Sequence, residues 1–211
     1  MTLTFSDALA AVPVVAVVRH ADAAVAESIA RAAIDGGIRA VEITFTVPGA
    51  AELIARLRAD HHEVVVGAGT VLTPAQCDAA ADAGAAFAVA PVLDQAVADR
   101  AASRGLALIP GAFTPTEVAR AAAYAPAVKL FPASVLGIPF VSALRDVLPE
   151  VRLMPTGGIA AAAVGDWLAA GAAAVGLAGA LTAAWRAGGA DDVHRTTRIA
   201  VAAATAERNP S

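Results

Sequence analysis

The chain has 211 residues, 58% apolar and 16% charged, enough to bury one sizeable core but short for two. A formal net charge of −4 excludes a general nucleic-acid binder, which needs surplus cations to displace counterions from phosphates. One cysteine, Cys77, excludes an internal disulfide and fits a reducing cytosol, where a lone thiol reads as a small buried hydrophobe in a helix.

The segment Met1 to Asp7 has no basic region followed by an apolar core, so no secretory signal is expected and the chain reads as cytoplasmic. A short N-terminal helix precedes the first strand. Strands are then expected at Val12 to Val18, Ala40 to Phe45, Val64 to Val66 and Ala86 to Ala90. Four more follow at Leu106 to Ile109, Ala127 to Leu130, Val151 to Met154 and Ala173 to Leu177. Nearly continuous apolar runs of this kind suit strands buried on both faces, as a parallel sheet requires.

Ala-rich helical stretches lie between them. Asp22 opens one and Gly36-Gly37 closes it; Thr73-Pro74 opens another and Gly84 closes it. Thr114-Pro115-Thr116-Glu117 supplies an N-cap Thr, a Pro at the first helical position and a Glu at the third. From Trp167 to Trp185 there is no charged residue, which approaches the roughly 20 residues that span a bilayer. Its Ala and Gly content, and its division into helix end, Gly171 turn, strand and Gly-rich loop, argue against a membrane span. Eight strand–helix units without a linker predict one α/β domain over 1–211, a single (β/α)8 TIM barrel. An open doubly wound sheet is the main alternative; the even strand count and the absence of a dinucleotide fingerprint weigh against it.

In such a barrel, chemistry belongs at the C-terminal ends of the strands. Arg19 follows the first strand, Glu42 and Thr44 lie within the second, and Thr70 follows the third. Lys129 closes the sixth, Thr156-Gly157-Gly158 follows the seventh, and Gly176 and Gly179 flank the end of the eighth. Lys129 is the only lysine; the other basic residues are Arg. An amine, unlike a guanidinium, can lose its proton and act as a nucleophile, so a position that keeps lysine in such a chain points to amine chemistry. Its neighbours Ala127-Val128 and Leu130-Phe131-Pro132 form an apolar setting that disfavours the charged form. The structural alternatives are a strand-end lysine reaching solvent, and for Glu42 a carboxylate paired with a barrel arginine.

Four motifs in this order carry a family resemblance: Val41-Glu42-Ile43-Thr44, Gly67-Ala68-Gly69-Thr70-Val71-Leu72, Val128-Lys129-Leu130-Phe131-Pro132 and Pro155-Thr156-Gly157-Gly158-Ile159. Together they resemble the 2-dehydro-3-deoxy-6-phosphogluconate (KDPG) aldolases and 4-hydroxy-2-oxoglutarate aldolases, from about Val14 to Leu181. The resemblance implies a Schiff-base aldolase in which Lys129 attacks the ketone of a 2-keto acid and Glu42 moves protons. Thr70 and Thr156 would contact the substrate, and Pro91 and Phe131 would wall its pocket. Gly157, Gly158 and the loop reaching Gly179 would offer backbone N–H groups to a phosphate, unless they are simply tight turns that need glycine. The implied partner is a small, phosphorylated keto acid, with no metal or other cofactor, and the implied assembly is a homotrimer.

Two positions depart from the family pattern. Thr46 stands where an Arg often binds the substrate carboxylate, and Gly179 stands where a Ser often bonds phosphate. Arg19, on the same face, is the candidate replacement; a solvent-facing arginine is the equal alternative. His61, His62 and His194 read as solvated or structural, and none, His20 included, has metal-site spacing with Glu42. Competing functions are a phosphosugar-binding barrel of epimerase or synthase type without an imine, and a non-catalytic metabolite-binding barrel.

Overall fold

The computed structural model describes residues 3–125 and 127–208; the outermost ends of the expected 1–211 domain, including Met1 and Thr2, lie outside the described residues. Each apolar run forms a parallel strand: β1 (Val14–Val18), β2 (Ala40–Thr44), β3 (Val65–Gly69), β4 (Phe87–Val89) and β5 (Ala107–Ile109). They are followed by β6 (Gly111–Ala112), β7 (Val128–Leu130), β8 (Leu153–Pro155) and β9 (Val175–Leu177). The pairing runs β5-β4-β3-β2-β1-β9 in one sheet and β6-β7-β8 in the other.

β5 and β6 are one strand interrupted at Pro110, which has no N–H to give the ladder. This is why the expected fifth strand, ending at Ile109, resumes beyond the proline. The other seam closes through the Ala173 N–H donating to the Leu153 carbonyl at 2.8 Å and a parallel bridge between Thr156 and Gly176. The sheet therefore curls into the expected α/β barrel rather than an open doubly wound sheet.

Helices alternate with the strands, and their ends follow the local chemistry. The expected N-terminal helix is α1 (Phe5–Ala11), with Thr4 and Asp7 forming a capping box. Next comes α2 (Ala23–Asp35), where the Asp22 carboxylate accepts from the Ala24 and Val25 N–H groups. The chain continues through α3 (Ala50–Asp60), α4 (Pro74–Asp82), capped by Thr73, and α5 (Gln95–Ser103). Gly37 and Gly84, both at positive φ, turn the chain out of α2 and α4. In α6 (Pro115–Ala122), Thr114 and Glu117 complete a second capping box. The remaining helices are α7 (Ala133–Leu136), α8 (Ile138–Val147), α9 (Val164–Ala169) and α10 (Gly179–Arg208), which kinks at Gly188-Gly189. Cys77 is buried in α4. Among the described residues, no helix is long and apolar enough to cross a membrane.

Strand alternation sorts the core into two shells. Val14, Ala16, Val18, Val41, Ile43 and Val66 face the helices. Val15, Val17, Ala40, Val65, Phe87, Val89, Ile109 and Met154 fill the barrel lumen. α1 closes the N-terminal end of that lumen, with Ala8 and Leu9 in the lumen cluster and the rings of Phe5 and Phe87 4.2 Å apart.

Candidate active site

Counting in twos from the lumen core reaches the C-terminal mouth on strand after strand. Val17 leads to Arg19, Ala40 to Glu42 and Thr44, Ala127 to Lys129, and Met154 to Thr156. The same parity carries Val89 to Pro91 and Ala174 to Gly176. One periodicity thus gathers residues from six strands.

At the centre, the Lys129 ammonium stands 3.8 Å from Glu42 Oε1, an ion-pair distance rather than a hydrogen bond. Lys129 is 4% exposed and Glu42 fully buried. The sequence placed Lys129 at the end of its strand; it lies in the middle of β7, enclosed, so the solvent-reaching alternative does not hold. Among the described residues, both Glu42 carboxylate oxygens and the Thr197 hydroxyl are the buried side-chain atoms without a hydrogen-bond partner. The Glu42 pairing is with Lys129, not with an arginine. Burial pushes the Glu42 carboxyl above its ordinary range, and the charges of Lys129 and then Arg19 pull against it. A carboxylate held between desolvation and two cations is suited to taking and returning protons.

Arg19, exposed at the mouth, donates from Nη2 to Thr70 Oγ1 at 3.0 Å. By alternation Thr70, one residue past Gly69, faces the helix layer. Its left-handed backbone, φ 55°, turns the hydroxyl to Arg19 instead. A β-branched residue in that region is strained, a cost met mostly at functional sites. Alongside, the Thr44 hydroxyl donates to the Val18 carbonyl at 3.1 Å and lies 2.7 Å from the Thr46 hydroxyl. With the Thr44 proton committed to Val18, Thr46 must be the donor of that second bond. Thr46 therefore has lone pairs, and no proton, left for a ligand.

Phe131, 39% exposed, lies under the Lys129 ammonium at 5.5 Å from ring centroid to Nζ. With Pro91, Val92, Leu93, Phe113 and Arg120 it lines a cleft of about 440 Å³. Thr156 is buried and donates its hydroxyl to the Met154 carbonyl at 3.3 Å. Gly157 and Gly158 follow at φ 97° and 74°, and Gly179 is the exposed first residue of α10. His61 and His62 lie beside Arg58 in a separate cavity of about 270 Å³ that holds none of the expected site residues. Among the described residues, no cluster of His, Cys, Asp or Glu could hold a metal ion.

Three residues in or around the site were given no role by the sequence. Thr44 was placed in its strand but given no task. Arg120 sits mid-helix with nothing in its surroundings to mark it. Gly69 was read as part of a motif, although its importance lies in the side chain opposite it.

The KDPG and KHG aldolase family model matches residues 5–199. The chain is 42% identical over 159 residues to the 2-dehydro-3-deoxy-phosphogluconate aldolase of Treponema pallidum, covering 74% of this chain and 76% of that one. It is 36% identical over 199 residues to the 2-dehydro-3-deoxy-6-phosphogalactonate aldolase of Escherichia coli, covering 93% and 95%. Among solved structures it is similar to a KDPG aldolase from Legionella pneumophila in which pyruvate was captured as a covalent carbinolamine. That similarity has a TM-score of 0.81 at 29% identity and covers 93% of this chain and 97% of the other.

Proposed function

Since the chain belongs to the KDPG and KHG aldolase family, and so is a pyruvate aldolase working through a Schiff base, we propose that it cleaves KDPG to pyruvate and glyceraldehyde 3-phosphate. In the same reading, 4-hydroxy-2-oxoglutarate is a second substrate, giving pyruvate and glyoxylate. The observation that carries it is the enclosed Lys129–Glu42 pair at 3.8 Å. A phosphosugar epimerase or a passive binder has no use for an enclosed amine beside an unbonded carboxylate.

The chemistry follows from the atoms present. The Lys129 amine, relieved of a proton by Glu42, adds to the substrate ketone at carbon 2. Glu42 returns that proton to the carbinolamine hydroxyl, which leaves as water and gives a protonated imine with Glu42 again a carboxylate. That cation draws the electron pair of the carbon 3–carbon 4 bond as Glu42 takes the carbon 4 hydroxyl proton, releasing the aldehyde and leaving an enamine. Protonation at carbon 3 and hydrolysis return Lys129 and free pyruvate. The imine itself is the electron sink, so the scheme calls for no metal.

Arg19 and Thr70 are assigned to the substrate carboxylate: Thr70 accepts from Arg19 and so keeps its own proton to donate. Thr46, whose proton is committed to Thr44, leaves that task to them. Thr156 is assigned to the hydroxyl-bearing carbons, Pro91 and Phe131 to the pocket wall. Gly157, Gly158 and the α10 N-terminus at Gly179 are assigned to the phosphate through backbone N–H groups. We include a cytoplasmic homotrimer in the reading. Val92, Phe113 and Phe131, exposed around one cleft, are an apolar face of the kind a subunit contact covers.

The test is direct. After incubation with pyruvate and borohydride, intact mass should show one adduct per chain, absent in Lys129→Ala; no adduct, or one that survives that change, removes the reading. Retro-aldol rates on KDPG, its phosphogalactonate counterpart and 4-hydroxy-2-oxoglutarate then settle the substrate. The highest kcat/KM is expected on KDPG, and equal values with and without phosphate would discard the phosphate assignment.

A further inference from the structure

Gly69 ends β3 in ordinary strand conformation, so its backbone does not need glycine. What needs glycine is the space. A β-carbon built there would lie 2.0 Å from Glu42 Oε1, 2.5 Å from its Cγ and 2.6 Å from its Cδ. The Glu42 carboxylate occupies the volume that any larger residue at 69 would fill. No hydrogen bond fixes that carboxylate. Its place is set by the walls around it and by the charges of Lys129 and, more weakly, Arg19.

We propose that Gly69 is a positioning residue for Glu42: its missing side chain lets the carboxylate lie against β3, within 3.8 Å of the Lys129 amine. The proposal rests on the aldolase reading above. A methyl group at 69 evicts the carboxylate from this slot and separates it from the carbon atoms it serves. Lys129, on the opposite wall of the barrel, loses its carboxylate partner but keeps its own strand and the Phe131 ring, so with excess pyruvate the imine still forms, only more slowly. Imine formation and proton transfer at carbon 3 should therefore come apart, which a general loss of structure would not produce.

The variants are Gly69→Ala, Glu42→Ala and the two combined. Borohydride trapping with pyruvate reads the imine. Exchange of pyruvate methyl protons in D2O, followed by NMR, reads carbon 3: the imine loses a proton to Glu42, becomes the enamine and regains a deuteron. Gly69→Ala is expected to trap pyruvate while its exchange rate falls at least tenfold. Its Tm should drop in the native background and not in the Glu42→Ala background, because there the slot is already empty. Exchange within threefold of the native chain, or the same Tm loss in both backgrounds, overturns the proposal. If Gly69→Ala does not fold, the combined variant decides: normal folding supports a clash with Glu42, and failure overturns it. Absence of any adduct in the native chain would sink the aldolase reading instead, and the Tm cycle would still judge the packing.

Discussion

The two ends of this barrel are built on opposite terms. At the N-terminal end, Phe5, Ala8 and Leu9 of α1 meet Phe87 and Ala127 in an apolar cluster. At the C-terminal end, the same strands present Glu42, Thr44, Lys129 and Thr156, all buried, with the Glu42 oxygens unbonded. Glycines mark the difference too. Gly67 makes room for the Phe87 ring below, whereas Gly69 and Gly176 make room for Glu42 and Thr156 above. One end stores stability through close packing, and the other gives some of it up to hold reactive groups.

The largest effect separating the ends should come from Phe87→Ala. The ring is fully buried against Phe5 and Gly67, and its loss opens a cavity where the plug cannot collapse. Denaturant unfolding should show a loss of about 3–5 kcal/mol, while the folded fraction still traps pyruvate. A small loss would mean that α1 re-seats over the gap, so the N-terminal end would not be the rigid one.

Arg19→Ala tests the mouth without touching the plug. Arg19 is exposed and its hydrogen bond is to Thr70. Stability should move by no more than about 0.5 kcal/mol, the range of surface changes. Removing a charged donor from a bound carboxylate should lower kcat/KM for a phosphorylated keto acid by about 1.5–3 kcal/mol, roughly 10- to 150-fold. Unchanged kinetics would return Arg19 to the role of a solvent-facing strand-end residue.

The plug and the helix layer were legible because apolarity and capping leave local marks. The mouth was legible as a set of polar residues at strand ends, with Lys129 singled out by its residue type, but not in the contacts those residues make. β3 shows the limit: the sequence suggests a strand over Val64 to Val66, yet it runs on to Gly69. Glycines are poor strand formers; Gly67 and Gly69 stay in the strand by pairing with β2, and the bulk of Phe87 and Glu42 beside them is what demands glycine there. Pro110 hid β6 in the same way, by breaking a pattern that the barrel continues. Nothing local announces that Thr70 takes a left-handed backbone, nor that it meets Arg19, 51 positions away. Such pairings exist only once the strands are side by side.

The sharpest contrast is electrical, and Glu42→Gln isolates it. Burial raises the folded-state pKa of Glu42 above the ordinary value of 4.5, against the opposing charges of Lys129 and Arg19. Folding therefore favours the protonated carboxyl. The stability this contributes is fully present below about pH 4.5 and is lost as pH rises through the folded-state value. A glutamine at 42 cannot ionise, so its Tm should vary less with pH above that point than the native chain's. Near neutral pH it should be more stable by about 1 kcal/mol, a Tm gain of roughly 2–4 °C for a chain of this size. Proton exchange at carbon 3 should fall in the same variant, because the amide accepts no proton. A Tm equal to or below the native value at pH 8 would mean that the Lys129 pairing outweighs burial. The mouth would then be as settled as the plug, and the site would need another source for its proton affinity.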